Sequence, residues 1–188
     1  MQKSAEAVRS KPFAGGFLLA GALLAGAQAM AGDIWLGVGA GQVKAEGVNA
    51  AVALGGELRL ELGKHFALQP DIGYWQRTET VSGVSVKASD FSFGVTALVL
   101  LPAGSVRFFV GAGPSVHSIG GDVDYYGFSV ASDSLTRLGV GVLGGVDVGI
   151  SRTAAFFMAA RYDWISLETD DPDSIDERRI YGGFRLRL

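Results

Sequence analysis

His117 and Ser118 are adjacent in the sequence and supply the residue types of a general base and a nucleophile. Successive side chains of an extended strand point to opposite faces, so this pair cannot cooperate unless a bulge intervenes. The other histidine, His65, follows Lys64 in a predicted turn, where water solvates it. The chain has no cysteine, which excludes thiolate chemistry, disulfides and lipidation at a cysteine. These residues predict a protein that is not an enzyme.

A glycine-rich segment matches a nucleotide-binding pattern by spacing alone. Residues Gly139 to Gly144 satisfy G-x-G-x-x-G, the fingerprint of dinucleotide-binding folds. That fingerprint needs a strand before it and a helix after it. Here the pattern that follows is still that of a strand, so we expect no nucleotide and no other cofactor.

Two acidic segments contain the residues best suited to contact a cation or a partner. Carboxylate oxygens are the ligands that calcium prefers, but the spacing matches no EF-hand loop. The first segment also carries aromatic residues, which are enriched at protein interfaces. The candidates are Asp122, Asp124, Tyr125, Tyr126, Phe128 and Asp133 in the first predicted loop, and Glu168, Asp170, Asp171, Asp173, Asp176 and Glu177 in the second. Solvation of the carboxylates is the favoured interpretation, so no metal site is predicted.

The segment Glu57 to Leu62 alternates charged residues with leucine, which gives a strand one charged face and one apolar face. The pattern recurs about eight times, and behind an export signal it favours a closed barrel in a bilayer, apolar outside and charged inside. The predicted inward charges are Glu57, Arg59, Glu61, Asp71, Arg77, Asp90, Arg107, Arg137, Asp147, Arg161, Asp163, Arg179, Arg185 and Arg187. We expect a network of salt bridges that packs the lumen, because unpaired buried charge is costly. The alternative is that these charges line an ion path.

The elements that must position these charges are eight strands. They are predicted at residues 33–43, 48–62, 66–78, 88–101, 106–118, 135–150, 154–167 and 178–188. Three short turns alternate with longer gaps, and outward aromatic residues gather near both strand ends, as in transmembrane barrels. Pro70 predicts a bulge in the third strand. The sequence therefore predicts an all-β, eight-stranded, antiparallel, up-and-down transmembrane barrel.

Residues 1–31 read as a cleaved secretory signal peptide, with the barrel domain at residues 32–188. Lys3, Arg9 and Lys11 precede an uncharged apolar stretch, residues 13–26, and small residues allow cleavage after Ala29 or Ala31. Removing three basic residues and one acidic residue leaves 13 basic and 18 acidic residues, a formal charge of −5. That charge argues against a nucleic-acid partner.

The strand sequences resemble the small outer-membrane β-barrels of Gram-negative bacteria, the OmpA-like, OmpX-like and opacity-type group. The resemblance rests on residues 35–41, 109–113, 144–150 and 180–188. It implies an outer-membrane location, contact with membrane lipid and lipopolysaccharide, and assembly by periplasmic chaperones and the barrel-assembly machinery. It also implies a monomer. Divalent ions could bridge the acidic loops to lipopolysaccharide phosphates.

Three functions remain open at this point. The favoured one is a non-enzymatic envelope protein with a structural or surface-interaction role carried by its outer loops. The alternative is a small ion or solute channel, similar to a porin. The third is a lipid A-modifying enzyme. Deacylases of that kind carry a His-x-Ser arrangement, whereas His117 here directly precedes Ser118.

Overall fold

The computed structural model of the protein describes residues 32–125, 128–166 and 174–188. Within these residues no helix is long and apolar enough to cross a membrane. The strands are β1 (Ile34–Ala45), β2 (Ala51–Glu61), β3 (Phe66–Val81), β4 (Val84–Ala103), β5 (Val106–Tyr125), β6 (Phe128–Gly149), β7 (Ala154–Ser166) and β8 (Ser174–Arg187). Each strand pairs antiparallel with the next, and β8 closes on β1, where Trp35 lies opposite Arg187. The predicted eight-stranded, up-and-down barrel is confirmed.

Burial alternates along each strand because inward and outward side chains alternate. In β7, Phe157, Ala159 and Arg161 are buried inside, while Phe156 and Met158 are exposed outside. Apolar side chains therefore cover the outer wall, and charged side chains fill the interior. This is the inverse of a soluble sandwich and agrees with the predicted polarity.

Leu60 departs from the simple alternation. The register of β2 directs it outward, yet it is only 8% exposed. Ile34 on β1 and Leu68 on β3 lie directly opposite Leu60 in the two flanking ladders. Side chains in such positions are close neighbours on one face, so the two residues cover Leu60.

The predicted bulge at Pro70 is wrong. Glu57 pairs with Asp71 and Leu60 with Leu68, so the register between β2 and β3 is the same on both sides of the proline. On its other side, Pro70 lies in an unbroken ladder opposite Val95. A proline cannot donate a ladder hydrogen bond, and here that loss is absorbed without inserting a residue.

The strands β4, β5 and β6 are longer than predicted, and the segment predicted as the first acidic loop is largely strand. Asp122 and Asp124 lie in β5 and Asp133 lies in β6, with a register shift between Val123 and Asp124. Glycine and aspartate are depleted in strands, which is why the pattern indicated a loop. Pairing with neighbouring strands on both sides overrides that preference.

Tight turns join the strands at both ends of the barrel. At one end, β2 and β3 join through Leu62–His65, β4 and β5 through Gly104-Ser105, and β6 and β7 through Ile150–Thr153. At the other end, Ser82 and Gly83 join β3 to β4, and both have positive φ angles, 52° and 83°. Such a pair is typical of the type I′ turn that matches the twist of a hairpin.

The interior contains two buried apolar clusters with polar layers around them. One cluster lies toward the end with the tight turns of β2–β3, β4–β5 and β6–β7, and consists of Ala67, Leu98, Leu100, Phe109, Leu143, Phe157 and Ala159. The other lies toward the opposite end, and consists of Val43, Ala45, Ala51, Ala53 and Trp75. A small barrel of eight strands is wide enough only for side chains, and these fill it.

Candidate functional site

Arg59 is fully buried and is the centre of a polar network in the lower lumen, the half nearer the β2–β3, β4–β5 and β6–β7 turns. Its Nη1 lies 2.6 Å from Asp147 Oδ2, and its Nε donates to Gln69 Oε1 at 3.0 Å. Gln69 in turn donates a hydrogen bond through Nε2 to Glu57 Oε2 at 3.0 Å. The guanidinium carbon also lies 4.3 Å from the centre of the Phe109 ring. Side chains from β2, β3, β5 and β6 therefore converge around Arg59.

Arg185 forms the second half of the same network from β8. It forms ion pairs with Glu57 and Asp147. Its guanidinium lies over two aromatic rings, 4.1 Å from the centre of Phe157 and 5.0 Å from the centre of Phe109. Cation–π contacts of this kind stabilise a desolvated guanidinium that water cannot reach.

Arg107 closes the network at the lower mouth. Its Nη1 lies 2.5 Å from Glu61 Oε1, and its Nη2 lies 3.1 Å from Asp147 Oδ2. Below it a vestibule of about 390 Å³ opens to the outside, lined in part by Trp35 and Arg152. Asp147 thus contacts three arginines and is the common acceptor of the lower network.

A second network occupies the middle of the lumen around Arg161. Its Nε donates to Asp163 Oδ2 at 2.7 Å, and its Nη1 lies 3.0 Å from Asp71 Oδ1. Thr96 accepts a further bond from Nη1 at 3.4 Å. A cavity of about 30 Å³ adjoins Arg161, Asp71 and Tyr181, which is room for about one water molecule.

The third network joins His117 to three polar side chains in the upper lumen, and all of them are buried. Nδ1 lies 2.8 Å from Asp90 Oδ2, to which it donates, since a carboxylate only accepts. Nε2 lies 3.0 Å from Ser115 Oγ, and the Ser115 hydroxyl donates to Asp163 Oδ1 at 3.3 Å. The order Asp–His–Ser is that of a hydrolase triad, but the one hydroxyl proton of Ser115 is directed to Asp163.

Asp90, His117 and Glu177 also offer three possible metal ligands within 4.8 Å of one another. Arg179 already supplies a cation there: it forms an ion pair with Glu177, and its Nη2 lies 3.4 Å from Asp90 Oδ2. Trp75 Nε1 donates to the other Glu177 oxygen at 2.8 Å. Both carboxylates of this cluster therefore already have the Arg179 guanidinium as a counter-charge.

Not every predicted inward charge joins these networks. Arg77 lies near the upper rim, 3.5 Å from Glu79 and largely exposed, and Arg187 forms an ion pair with Asp33 at 2.5 Å at the opposite end. Arg137 is half-buried and bonds only its neighbour's carbonyl, Thr136 O, at 3.4 Å within the described part of the chain. The buried charge is thus concentrated between these two rims.

Several partners in the networks were not predicted to take part in a charge network. Glu177, predicted in an outer loop, lies inside the barrel and is 1% exposed. β8 begins at Ser174, earlier than predicted, so Glu177 lies on the strand and faces inward as Arg179 does. Gln69, Ser115 and Thr96 also face inward. The alternation along a strand predicts that these side chains face inward. It does not predict that a neutral side chain takes part in a charge network.

The outer-loop candidates divide into two groups. Asp122 and Asp124 lie on the outward parity of β5, and the Asp122 carboxylate is 3.6 Å from Lys87 Nζ. Tyr125 and Phe128 pair across the β5–β6 hairpin. Tyr126, Glu168, Asp170, Asp171 and Asp173 lie outside the described residues.

The sequence itself now decides the family of this barrel. The profile of the outer membrane protein beta-barrel domain matches residues 17–187. The chain belongs to this family. This outer-membrane barrel therefore lies in a bacterial outer membrane with its apolar wall facing lipid. We assign the end with the β2–β3, β4–β5 and β6–β7 turns to the periplasm, because barrels of this kind have short periplasmic turns.

Solved structures agree with the family assignment at the level of fold. The chain is similar to Neisserial surface protein A, with a TM-score of 0.66 and 17% identity over 82% of this chain and 97% of that one. It is similar to OprG from Pseudomonas aeruginosa, with a TM-score of 0.58 and 12% identity over 85% and 97%. Ail, the attachment invasion locus protein of Yersinia pestis, has a TM-score of 0.52 and 14% identity over 82% and 97%. No curated protein sequence matches this outer-membrane barrel.

Proposed function

We propose that this protein is a non-enzymatic envelope protein whose lumen is a structural plug and whose outer strand extensions contact other surface molecules. The observation that supports a plug is the filling of the lumen. Arg59 and Arg185 are completely buried, and their charges are met by carboxylates and aromatic rings. Above them, a cavity of about 30 Å³ adjoins Arg161, which is room for about one water molecule.

The part suited to a surface role is the ribbon formed by β3 to β6 above the outer membrane interface. From Ser118 to Tyr125, β5 extends about 23 Å, at roughly 3.3 Å per residue. Outward aromatic residues at the level of Tyr74 and Phe91, both exposed, mark the interface below it. The outward residues of the ribbon are polar, as expected for strands that stand in water.

The charge of the outer end suits a cationic partner. Its carboxylates include Asp122, Asp124 and Asp133 in the ribbon, and Glu168 to Asp173 outside the described residues. One Ail structure is a complex with the heparin analogue sucrose octasulfate. For this chain we propose instead divalent cations that bridge the acidic residues to lipopolysaccharide phosphates, since like charges would repel a polyanion. The sequence also groups Tyr125, Tyr126 and Phe128 near the connection of β5 and β6, and aromatic residues suit protein contact.

The leader and the assembly partners belong to the same proposal. Residues 1–31 are a signal peptide that is removed, and residues 32–188 are the barrel domain. Periplasmic chaperones and the barrel-assembly machinery deliver the chain to the membrane, where it is a monomer.

A small channel is the second candidate, favoured by the vestibule of about 390 Å³ that reaches Arg107 from the periplasmic end. Planar-bilayer recording separates the two functions. The refolded protein is expected to give no reproducible conductance steps, because the network above Arg107 closes the lumen. Regular steps would overturn the plug and support the channel.

Enzymatic activity on lipid A is tested separately. Ser115, His117 and Asp90 are buried inside the barrel, so an acyl ester in the membrane cannot reach them. Lipid A from a deletion strain is expected to show the same acyl pattern as the parent strain by mass spectrometry. Loss of a modification that the intact gene restores would contradict a non-enzymatic role.

A further inference from the structure

A groove of about 410 Å³ runs along the outer wall over β5 to β8. Its floor is Gly144 on β6 and Ala160 on β7, which lie directly opposite each other in the ladder. Its sides are Val110 and Ile180, opposite Gly144 and Ala160 on the two flanking strands. Two small residues between two large ones make a trough whose lining is almost entirely apolar.

One end of the groove carries polar groups at the level of the outer aromatic belt. Tyr162 lies one outward row above Ala160, and its ring centre is 4.5 Å from that of Trp164. The guanidinium of Arg178 lies 5.3 Å from the Tyr162 ring centre, and the two residues are directly opposite in the ladder. Amphipathic rings at such a height mark the boundary between hydrocarbon and headgroups.

Arg178 has a second cation beside it. Lys44 on β1 lies directly opposite Arg178 in the β1–β8 ladder, and both are exposed on the outer wall. Like charges in this position are destabilising unless an anion lies near them. Among the described residues neither forms an ion pair; the nearby carboxylate of Asp176 accepts a bond of 2.5 Å from the Tyr162 hydroxyl. The row Lys44–Arg178–Tyr162 therefore presents two exposed basic side chains at the level of the outer aromatic belt, with the Asp176 carboxylate beside them.

We propose that this groove binds lipopolysaccharide, with one acyl chain along the floor at Gly144 and Ala160 and a lipid A phosphate between Lys44 and Arg178. Charge complementarity selects the phosphate, and burial of apolar surface holds the chain. A phosphate-bearing lipid with several acyl chains matches both ends of the site. The proposal extends the contact with lipopolysaccharide from the outer strands to the barrel wall, and it does not depend on whether the lumen conducts.

Two variants separate the two halves of the site without touching the lumen. Gly144→Leu fills the floor; a Cβ there would meet only Phe109 O at 3.8 Å, an ordinary contact, so the barrel is expected to fold. The matched control is Gly56→Leu on the far wall, where the nearest atom is Ile72 Cγ1 at 3.6 Å. The double variant Lys44→Gln/Arg178→Gln removes the charges, and Lys87→Gln, another outward basic residue, is its control.

The experiment is native mass spectrometry of the refolded full-length barrel titrated with bisphosphorylated lipid A, dephosphorylated lipid A or inorganic phosphate. We expect bisphosphorylated lipid A to bind at least tenfold more tightly than dephosphorylated lipid A. Gly144→Leu and the double variant should each lose about tenfold in affinity, a change of about 1.4 kcal/mol, while both controls bind as the parent does.

Equal retention of lipid A by all variants would overturn the site. Displacement of the lipid by inorganic phosphate at equal concentration would overturn the acyl groove, because the phosphate alone would then carry the binding. Either failure can occur in a barrel that gives no conductance steps, so it is distinguishable from failure of the proposed plug.

Discussion

Ser115 and His117 lie two positions apart on β5, face the same lumen, and meet with Oγ and Nε2 3.0 Å apart. The sequence neighbour of His117, Ser118, points to the opposite face. The period of two therefore brings together the pair that adjacency in sequence separates. Because the Ser115 hydroxyl donates its hydrogen bond to Asp163, the contact stabilises the lumen and does not prepare a nucleophile.

The variant Ser115→Ala tests that structural role. It removes the contacts to His117 and Asp163, so we expect a loss of about 1–3 kcal/mol in the free energy of unfolding. Urea titration in detergent micelles, followed by tryptophan fluorescence, measures it. Lipid A isolated from cells carrying the variant should be unchanged; an altered acyl pattern would contradict the structural role.

Asp147 is the acceptor shared by Arg59, Arg107 and Arg185, and its removal leaves the buried Arg59 with no ion-pair partner among the described residues. We expect Asp147→Asn to lower the free energy of unfolding by about 3–5 kcal/mol in the same titration. The control is Asp133→Asn, an exposed carboxylate of β6 whose bond within the described residues comes from the backbone N–H of its neighbour Ser134; it should cost under about 0.5 kcal/mol. Equal losses in the two variants would show that the lower network does not stabilise the barrel.

The direction of the charged side chains was predictable from sequence, but their partners were not. Alternation in β2 places Glu57, Arg59 and Glu61 on one face, and the structure buries all three inside. That Arg59 meets Asp147, 88 residues away, depends on the tilt and stagger of eight strands, which a period of two does not encode.

The ends of the strands were the least predictable part. Gly120, Gly121 and Asp122 have weak strand preference, so the pattern ended β5 at Ser118, whereas pairing continues it to Tyr125. For the same reason Glu177 was predicted in a loop, whereas it lies on β8 and inside the barrel. The groove at Gly144 and Ala160 could not be predicted from the alternation within one strand, because its shape comes from four neighbouring strands.

Gly41 is predicted to be a position where the barrel tolerates no side chain. A Cβ there would lie 2.0 Å from Ile180 O and 2.5 Å from Tyr181 Cα, so the backbone of β8 would have to move. We expect Gly41→Ala to cost about 1–3 kcal/mol in unfolding. Gly121→Ala, with open space around its Cβ, is the control and should be neutral or slightly stabilising. Equal stabilities would show that β1 and β8 are less closely packed than their register indicates.

The Ser82-Gly83 turn sets the local stability of the ribbon. Both residues have positive φ angles, which asparagine tolerates better than serine and which a β-branched residue resists. Hydrogen exchange of the Val81 and Val84 amides should slow in Ser82→Asn. It should accelerate about 5–30-fold in Gly83→Val, which corresponds to 1–2 kcal/mol. Gly104→Val, at a positive-φ glycine of the periplasmic end, should leave these amides unchanged; a matching acceleration would show that the ribbon does not open locally.

The polarity of the barrel wall can be read directly by introducing cysteines, since the chain has none of its own. In reconstituted vesicles a lipid-phase maleimide should label Leu54→Cys, which is 59% exposed on the outer wall, and leave Ala53→Cys, 6% exposed inside, unreacted. Leu60→Cys should label slowly although it faces outward, because Ile34 and Leu68 cover it. Leu58→Cys and Leu62→Cys should react faster than Leu60→Cys. Faster labelling at Ala53 than at Leu54 would reverse the assignment of the two faces, and the membrane-facing wall would have to be reassigned with it.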